Sequence, residues 1–365
     1  MTTTNNFKII VLRSKLLEGL SSVERSVGGD GSTLPILKNV KLEAEGGALR
    51  LTATNLEVVI QSSVNCKVAR EGVFTVPFSV FSGIVRNLSG ERVTLDCDEG
   101  VLGVVTDNYE ASLHGQSADE FPIVPSIKSD SQISFSIDNL KDFLSSVVYA
   151  TQHSDIRPEI SGVLVQVRDS RLFFAATDSF RLAERVVGAD LHDTNLTDVS
   201  FVVPIKTVGD IIRILPDGEG RVNMFYEPNQ VAFTTDVHTI ISRLVEGTFP
   251  DYRQILPPTF SYEVSLDRQE FLNAVKLVSS FSGKGNDLIL RVDDGSKYLE
   301  VYSSQGSLGE NVYKIPAKVS GKGKFSVVLN WRYVLDGLKA HSGEEIVIGV
   351  NEADKPVGIQ DKTKA

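Results

Sequence analysis

The feature that most constrains the fold of this 365-residue chain is a repeat within its own sequence. The motif LTATN at 51–55 is matched further along the chain by FAATD at 174–178. The Val-Pro step at 76–77 recurs at 203–204, and Asn330 stands at the same place in a third copy. Each copy of such a repeat forms one structural unit. We therefore predict three units, at 1–128, 129–257 and 258–365.

Each unit contains two predicted helices. Apolar residues recur on one face of an opening helix, and a proline or an asparagine starts a second helix. Asp138 and Asp267 are the expected N-caps of their helices, and Glu270 completes a capping box with Asp267. The opening helices are predicted at 14–27, 138–152 and 267–281, and the second helices at 77–89, 204–216 and 330–341.

The rest of each unit is predicted to form strands. Apolar and polar residues alternate at 93–97 and at 231–235, as they do in strands with one buried face. Helices and strands in this order indicate the α+β fold class. Each unit is expected to be an antiparallel sheet with two helices packed on one face.

The sequence offers little that could support catalysis. It contains neither the GxxxxGK[ST] phosphate loop nor the GxSxG turn of a serine hydrolase. His153, Ser154 and Asp155 are consecutive residues, which cannot form the chain of a nucleophile, a base and an orienting acid. Cys66 and Cys97 are too few for a disulfide framework or a structural zinc site. We therefore expect no enzyme activity, no cofactor and no metal.

The composition is that of an ordinary folded protein, with 41% apolar and 23% charged residues. No apolar run reaches the length of a membrane helix, and the first residues do not form a signal peptide, so a cytoplasmic location is expected. A net charge of −10 argues against nucleic acid as a partner. However, the six predicted helices together carry +2. From composition alone, these helix cations are best explained as solvated faces.

Four longer motifs carry a resemblance to a known family. The segments LPILKNV at 34–40, LTATNLE at 51–57, ATDSFRL at 176–182 and EGTFPDYR at 246–253 resemble the bacterial sliding clamp, the β subunit of DNA polymerase III. The match covers all three repeats in order. It implies three tandem DNA-clamp domains and a head-to-tail homodimer that forms a ring around duplex DNA.

The resemblance also implies a function without chemistry. Clamps of this family are processivity factors at the nucleoid. They tether the DNA polymerase III catalytic subunit, the clamp loader and repair proteins, whose linear motifs bind a groove between the second and third domains. Matching positions implies a groove of Ile160, Thr177, Ser179, Phe180, Arg181, Leu182, Pro250, Gln254, Ile255, Asn330, Tyr333 and Pro356. It implies DNA contacts by Arg86, Arg157, Lys206, Arg213 and Lys339, and a dimer interface at Ser280 and Phe281.

This chain departs from the family pattern at several positions. Phe180 stands where a histidine is common and Gln254 where an arginine is common, so a different partner preference is expected. The loop at 28–33 lacks the basic residue that family members often have there, which puts DNA contact by this loop in doubt. Family members continue beyond the strand that matches 356–360 into another strand and a Met-Pro tail. The given sequence stops at Ala365, before these elements; without them the groove would lack a wall and the third domain would have an unpaired sheet edge.

Two other functions are open at this point. A hydrolase or sugar-binding protein built from repeats would use the acidic turns, and it predicts a carboxylate pair in one unit only. A scaffold with the clamp fold could bind partners without encircling DNA.

Overall fold

The structure is a computed structural model that describes residues 6–29, 31–32, 34–127, 129–307 and 309–362. Within these residues the chain forms six α-helices and five sheets. None of these helices has the length and apolarity needed to cross a membrane. The helices are α1 (Arg13–Val23), α2 (Phe78–Asn87), α3 (Ile137–Val148), α4 (Ile205–Ile214), α5 (Arg268–Val278) and α6 (Trp331–Ala340).

The strands alternate with these helices along the chain. The first eighteen are β1 (Phe7–Leu12), β2 (Asn39–Glu45), β3 (Ala48–Thr54), β4 (Val58–Asn65), β5 (Lys67–Arg70), β6 (Gly72–Pro77), β7 (Arg92–Asp98), β8 (Val101–Val105), β9 (Glu110–His114), β10 (Gln132–Ser136), β11 (Gly162–Arg168), β12 (Arg171–Thr177), β13 (Leu182–Val187), β14 (Asp193–Thr194), β15 (Val199–Pro204), β16 (Arg221–Glu227), β17 (Gln230–Thr234) and β18 (His238–Arg243). The last eight are β19 (Tyr262–Asp267), β20 (Asp287–Val292), β21 (Tyr298–Gln305), β22 (Gly309–Pro316), β23 (Lys318–Ser320), β24 (Phe325–Asn330), β25 (Glu345–Val350) and β26 (Gly358–Asp361).

The chain divides into two compact units, each built from several segments. Unit 1 comprises Met1–Leu144, His153–Phe174 and Val186–Gly247, and unit 2 comprises Ser145–Gln152, Ala175–Arg185 and Thr248–Ala365. The five sheets have the strand orders β5-β1-β7-β8-β9, β14-β10-β16-β17-β18-β4-β3-β2-β6, β13-β12-β11-β15, β23-β19-β25-β26 and β22-β21-β20-β24. This architecture confirms the predicted α+β class with antiparallel sheets and two helices per repeat.

The nine-stranded sheet runs through the first and second repeats of unit 1. Its seam is the antiparallel pairing of β4 with β18, in which five residues of each strand are in register. Ile60 and Ile240 are partners in this register, and both are fully buried. Because backbone hydrogen bonds cross the seam, the two repeats share one continuous sheet.

A segment without regular secondary structure, residues 121–127, packs on this sheet; we call it the strap. Val124 and Ile127 of the strap pack against a cluster that contains Val59 and Ile241. Val59 and Ile241 are themselves register partners across the seam. The side chain of Ile123, between two packed positions, is 95% exposed. The strap therefore buries the apolar pair at the seam with some of its side chains and leaves others in water.

An ion pair also joins the two repeats of unit 1. The guanidinium of Arg25, in the turn after α1, donates to Oδ1 of Asp210 on α4 at 3.2 Å. Asp210 is fully buried, and its Oδ2 has no hydrogen-bond partner among the described residues. Burial raises the pKa of Asp210, and the charges of Arg25 and Lys206 oppose that shift. Arg25 is therefore the only residue of the described chain that forms an ion pair with this buried carboxylate.

Unit 2 is built around a core shared by two four-stranded sheets and two helices. Phe271 and Val275 of α5 and Leu338 of α6 are fully buried in it. The strand β26 lies at the edge of its sheet, paired on one side with β25. The side chain of Asp267 accepts a hydrogen bond from the Glu270 amide at 2.6 Å, so the predicted N-cap of α5 is confirmed.

The start of α3 differs from the prediction. The helix begins at Ile137, and the Asn139 amide donates to the hydroxyl of Ser136 at 3.2 Å. Asp138 is therefore a first-turn residue and not the N-cap; its carboxylate instead accepts a hydrogen bond from the Gly218 amide at 3.0 Å. The prediction was wrong by two residues because serine and aspartate are both good caps, and strand β10 ends at Ser136.

The packing of the strap predicts that two of its isoleucines contribute differently to the free energy of unfolding. Ile127→Ala should lower the free energy of unfolding by about 1–2 kcal/mol, because it removes apolar contacts at the seam. Ile123→Ala should change it by less than about 0.5 kcal/mol, because this side chain is in water. Denaturant unfolding of both variants measures the difference, and equal effects would contradict the role of the strap.

Candidate functional site

The motif at 177–182 forms a tight turn between β12 and β13. The hydroxyl of Thr177 donates to the carbonyl of Arg181 at 2.7 Å and accepts from the Ser179 amide at 3.1 Å. Oδ1 of Asp178 accepts from the amides of Phe180 and Arg181 at 2.9 and 3.0 Å. Ser179 has a φ of 78°, which a tight turn of this kind requires. Short polar side chains therefore hold the turn by bonds to its own backbone.

Arg181 connects this turn to helix α6. Its Nε donates to Oδ2 of Asp178 at 3.0 Å, and its Nη1 donates to Oδ2 of Asp336 at 2.7 Å. The guanidinium carbon lies 4.5 Å from the ring centroid of Tyr333 and 5.6 Å from that of Tyr149. All of these residues belong to unit 2. The positive charge of Arg181 is therefore matched by two carboxylates and two aromatic faces.

This environment shifts the pKa values of two groups. Burial opposes the charge of Arg181, but the hydrogen bonds and negative charges of Asp336 and Asp178 outweigh it and raise the pKa of Arg181. Burial raises the pKa of Tyr149, and the charge of Arg181 opposes that shift. The guanidinium remains charged at any pH at which the chain is folded.

A second contact fixes the segment after Gly247 to β13, the strand that follows this turn. The Tyr252 hydroxyl donates to the Glu184 carboxylate on β13, the strand that starts at Leu182. Burial and the Glu184 carboxylate raise the pKa of Tyr252. The Gln254 amide donates to Asp251 at 2.8 Å. Tyr252 thus ties the short 3-10 turn that contains it to β13.

Most of the predicted groove residues belong to unit 2. Thr177, Ser179, Phe180, Arg181 and Leu182 form the turn, and Arg181 brings Tyr333 to it. Asn330 caps α6, accepting from the Arg332 amide at 3.0 Å, while Pro250, Gln254 and Ile255 lie in the segment around Tyr252, and Pro356 precedes β26. Ile160 is a buried residue of unit 1.

Sequence reasoning missed three residues that organise this site: Tyr149, Glu184 and Asp336. Asp336 is 155 residues from Arg181, and no local pattern connects the two. Tyr149 follows α3 and resembles any other residue at a helix end. Only tertiary packing brings them to the turn.

The residues expected to contact DNA have different surroundings. Lys206 and Arg213 are exposed on α4, seven residues apart, and therefore on one face of that helix. Neither has a salt bridge within the described chain. Arg86 on α2 pairs with Glu24 at 2.7 Å. The other two are Lys339, exposed on α6, and Arg157, which pairs with Glu159 at 3.1 Å.

The residues expected at the dimer interface lie at the end of α5. Ser280 and Phe281 belong to a single 3-10 turn, where the Ser280 hydroxyl donates to the Leu277 carbonyl at 2.7 Å. The side chain of Leu277 is 59% exposed. Asn311 on β22, an edge strand of its sheet, donates to the same carbonyl at 3.2 Å. An exposed leucine thus lies beside an exposed strand edge.

The residues with catalytic side chains form no recognisable centre in the described part of the chain. Nε2 of His153 lies 3.1 Å from Oδ1 of Asp155, and both side chains are largely in water. Across the described ranges, no three His, Cys, Asp or Glu residues cluster as metal ligands would. Burial raises the pKa of the Cys97 thiol to about 12, which keeps it protonated and unreactive.

The network around Arg181 predicts that its loss is costly. Arg181→Met should lower the free energy of unfolding by roughly 2–4 kcal/mol, because the buried carboxylate of Asp178 would lose its charge partner. Arg157→Met is the matched control: its ion pair with Glu159 is half-exposed, so less than about 1 kcal/mol is expected. Denaturant unfolding compares the two, and hydrogen exchange should show faster exchange of the turn amides only in the first variant.

The chain is similar to known proteins along nearly its whole length. Three family models match the chain in order: the N-terminal domain of the DNA polymerase III beta subunit at 7–125, its central domain at 134–251 and its C-terminal domain at 253–365. The beta sliding clamp of Staphylococcus aureus is 27% identical over 340 residues, covering 91% of this chain and 89% of the relative.

Solved structures agree with these matches. The DNA polymerase sliding clamp from Bacillus subtilis superposes with a TM-score of 0.92 at 26% identity, covering 98% of this chain and 96% of that one. The DNA polymerase III subunit beta from Pseudomonas aeruginosa gives 0.89 at 26% identity, with 97% and 96% covered. Because the three family models together span nearly the whole sequence, the chain belongs to the DNA polymerase III beta subunit family.

Proposed function

We propose that this chain is a DNA sliding clamp and processivity factor, which encircles duplex DNA as a homodimer and tethers replication and repair proteins. The observation that carries the proposal is the match of three consecutive clamp domains to the three repeats. Domain boundaries near 128 and 257 are part of this proposal; the matched ranges are separated at 126–133 and at 252. A protein with this role works in the cytoplasm at the nucleoid and performs no chemical step of its own.

The helices give an acidic chain a means of holding DNA. Lys206 and Arg213 project from one face of α4, and neither is neutralised by a salt bridge in the described residues. Arg86 is already paired with Glu24. A few cations that contact phosphates bind without reading sequence, as movement along any DNA requires. The remaining acidic surface would repel DNA from other faces.

DNA retention tests this arrangement. Lys206→Ala and Arg213→Ala should each reduce the salt slope of DNA binding by about one unit, because each removes one phosphate contact. Arg86→Ala should have a smaller effect, because Glu24 already competes for its charge. Lys67→Ala, an exposed lysine on β5, is the matched control and should leave the slope unchanged.

The second readout compares retention on circular DNA with retention on linear DNA. Loaded protein should stay on nicked circular plasmid and leave the same plasmid once it is made linear. Equal retention on both forms would exclude encirclement and favour a scaffold that binds partners only.

The proposed dimer joins the first domain of one copy to the third domain of the other. Both offer exposed strand edges: β9 ends the first sheet, and β22 ends the last. Leu277 and Phe281 adjoin β22 through the hydrogen bond of Asn311 and would supply apolar contact. Repeating one heterologous contact twice closes a ring.

Leu277→Glu should therefore yield a monomer in light scattering, because it places a charge in an apolar interface. Val237→Glu, which changes a residue that is 48% exposed in a turn of unit 1, should leave the dimer intact. If the parent chain is itself a monomer at micromolar concentration, the proposed ring is wrong.

The turn at 177–182, the Tyr252 segment and α6 are proposed to form the groove for partner peptides. Arg181 and Tyr252 hold these elements together within unit 2. Leu182, Ile255 and Tyr333 would form its apolar walls. Partners of this kind include the DNA polymerase III catalytic subunit, the clamp loader and repair proteins. Rigid walls of this type suit short linear motifs. Such motifs lose conformational entropy when they become ordered on binding, and rigid walls add no further entropy loss on the side of the protein.

A further inference from the structure

The loop at 320–324, with the sequence SGKGK, is held in place through its backbone. The Tyr262 hydroxyl on β19 donates to the Lys322 carbonyl at 2.9 Å. The Gly323 amide donates to Oδ1 of Asp294, in the turn between β20 and β21, at 3.1 Å. The loop is therefore bonded both to a strand and to a neighbouring turn of unit 2.

Gly321 lets this loop approach the start of β19 closely. Its φ is 117°, and a Cβ atom at this position would lie 2.6 Å from the carbonyl oxygen of Ser261. Any side chain here would cause both backbone strain and a steric clash. Because the path of the loop is fixed in this way, the lysines that it carries start from a fixed backbone.

A cleft of about 450 Å³ lies between this loop and the turn that joins β20 to β21. Its lining includes Asp293 and Lys297 from the turn, Lys318 from β23, and Gly321 and Gly323 from the loop. A cleft of this size is large enough for a small molecule. None of these residues belongs to the proposed peptide groove or to the set expected to contact DNA. The cleft is thus a separate feature of unit 2.

Four lysines surround this cleft. Lys297 and Lys318 line it, while Lys322 and Lys324 lie on the loop that forms one of its walls. All four are exposed, and none forms a salt bridge within the residues that the structure describes. These cations lie close together in a chain whose net charge is −10.

The nearby carboxylates cancel only part of this positive charge. Asp293 lines the cleft, and Asp294 accepts the hydrogen bond of the loop. Glu345 interacts with the charge of Lys318 but is ion-paired with Lys362. Four lysines against two aspartates leave an excess of two positive charges around the cleft.

We propose that this cleft binds oligophosphates, anions that carry two or more linked phosphate groups. A lysine ammonium binds phosphate oxygens as a point charge. Asp293 weakens the attraction for an anion with a single phosphate, whereas a chain of phosphates reaches several lysines at once. Binding also relieves the mutual repulsion of the four lysines. Inorganic oligophosphate and the phosphate chain of a nucleoside triphosphate share this chemistry.

Calorimetric titration of the full chain, in buffer without divalent cations, tests the proposal. The probes are orthophosphate, inorganic triphosphate and ATP. Triphosphate should bind at least about tenfold more tightly than orthophosphate, because it meets more of the lysines. Equal affinity for triphosphate and ATP would identify the phosphate chain alone as the ligand, and tighter binding of ATP would add the nucleoside to it.

Variants separate the cleft from the general charge of the surface. Lys297→Gln and Lys318→Gln should each weaken triphosphate binding roughly two- to fivefold, because each removes one exposed ion pair. Lys67→Gln, which changes an exposed lysine of unit 1, is the matched control and should leave the affinity unchanged. Gly321→Ala keeps every charge but distorts the loop, so it should weaken binding at least as much as Lys297→Gln. Denaturant unfolding checks that each variant is folded.

Several results would overturn the proposal. They are the absence of triphosphate binding to the parent chain, equal binding of orthophosphate, and unchanged affinity in both cleft lysine variants. A loss in Lys67→Gln as large as in Lys297→Gln, or no loss in a folded Gly321→Ala variant, would indicate diffuse attraction instead of a cleft.

A thymidine octanucleotide is the last competitor. It should leave the affinity for triphosphate unchanged. If it displaces triphosphate and depends on the same lysines, the surface is a contact for nucleic acid and the oligophosphate site is wrong. None of these measurements requires a ring or loaded DNA, so their outcome is independent of the proposed clamp function.

Discussion

The backbone pairing of β4 with β18 is the constraint on which the rest of unit 1 depends. It converts two similar repeats into one nine-stranded sheet, so neither repeat has a free edge at that junction. The strap covers the Val59–Ile241 pair, and Arg25 pairs with the buried Asp210 of α4. Backbone hydrogen bonds, apolar packing and one ion pair thus act on the same junction.

The candidate site uses a different physical principle. In unit 2, a single charged group, Arg181, connects the turn at 177–182 with α6. The desolvation of its guanidinium is offset by Asp178, Asp336 and two aromatic rings. Since these contacts match the charge of Arg181, we expect this residue to hold the proposed groove in shape and to make no ionic contact with partners. The proposed groove would offer a partner apolar side chains, because Phe180 and Ile255 are both exposed.

Much of the fold could be predicted from sequence because its signals are local. The capping residues Asp267 and Asn330 and the apolar periodicity of the helices depend only on neighbours along the chain. The prediction was wrong at Asp138 because Ser136, two residues earlier, is also a good cap, and the end of β10 decides between them. The repeat itself predicted the number of helices, since each copy must bury its apolar face in the same way.

The sequence by itself determined the α+β class, the repeats and the turn at 177–182. The reason is that backbone propensity and short-range hydrogen bonds depend only on residues close together in the chain. Tertiary structure alone decided which cations remain without a salt bridge: Arg86 pairs with Glu24, whereas Lys206 and Arg213 form no salt bridge among the described residues. It also decided that Tyr149, Glu184 and Asp336 belong to the site. These contacts join residues far apart in the chain, and their energies depend on burial, which no local pattern contains.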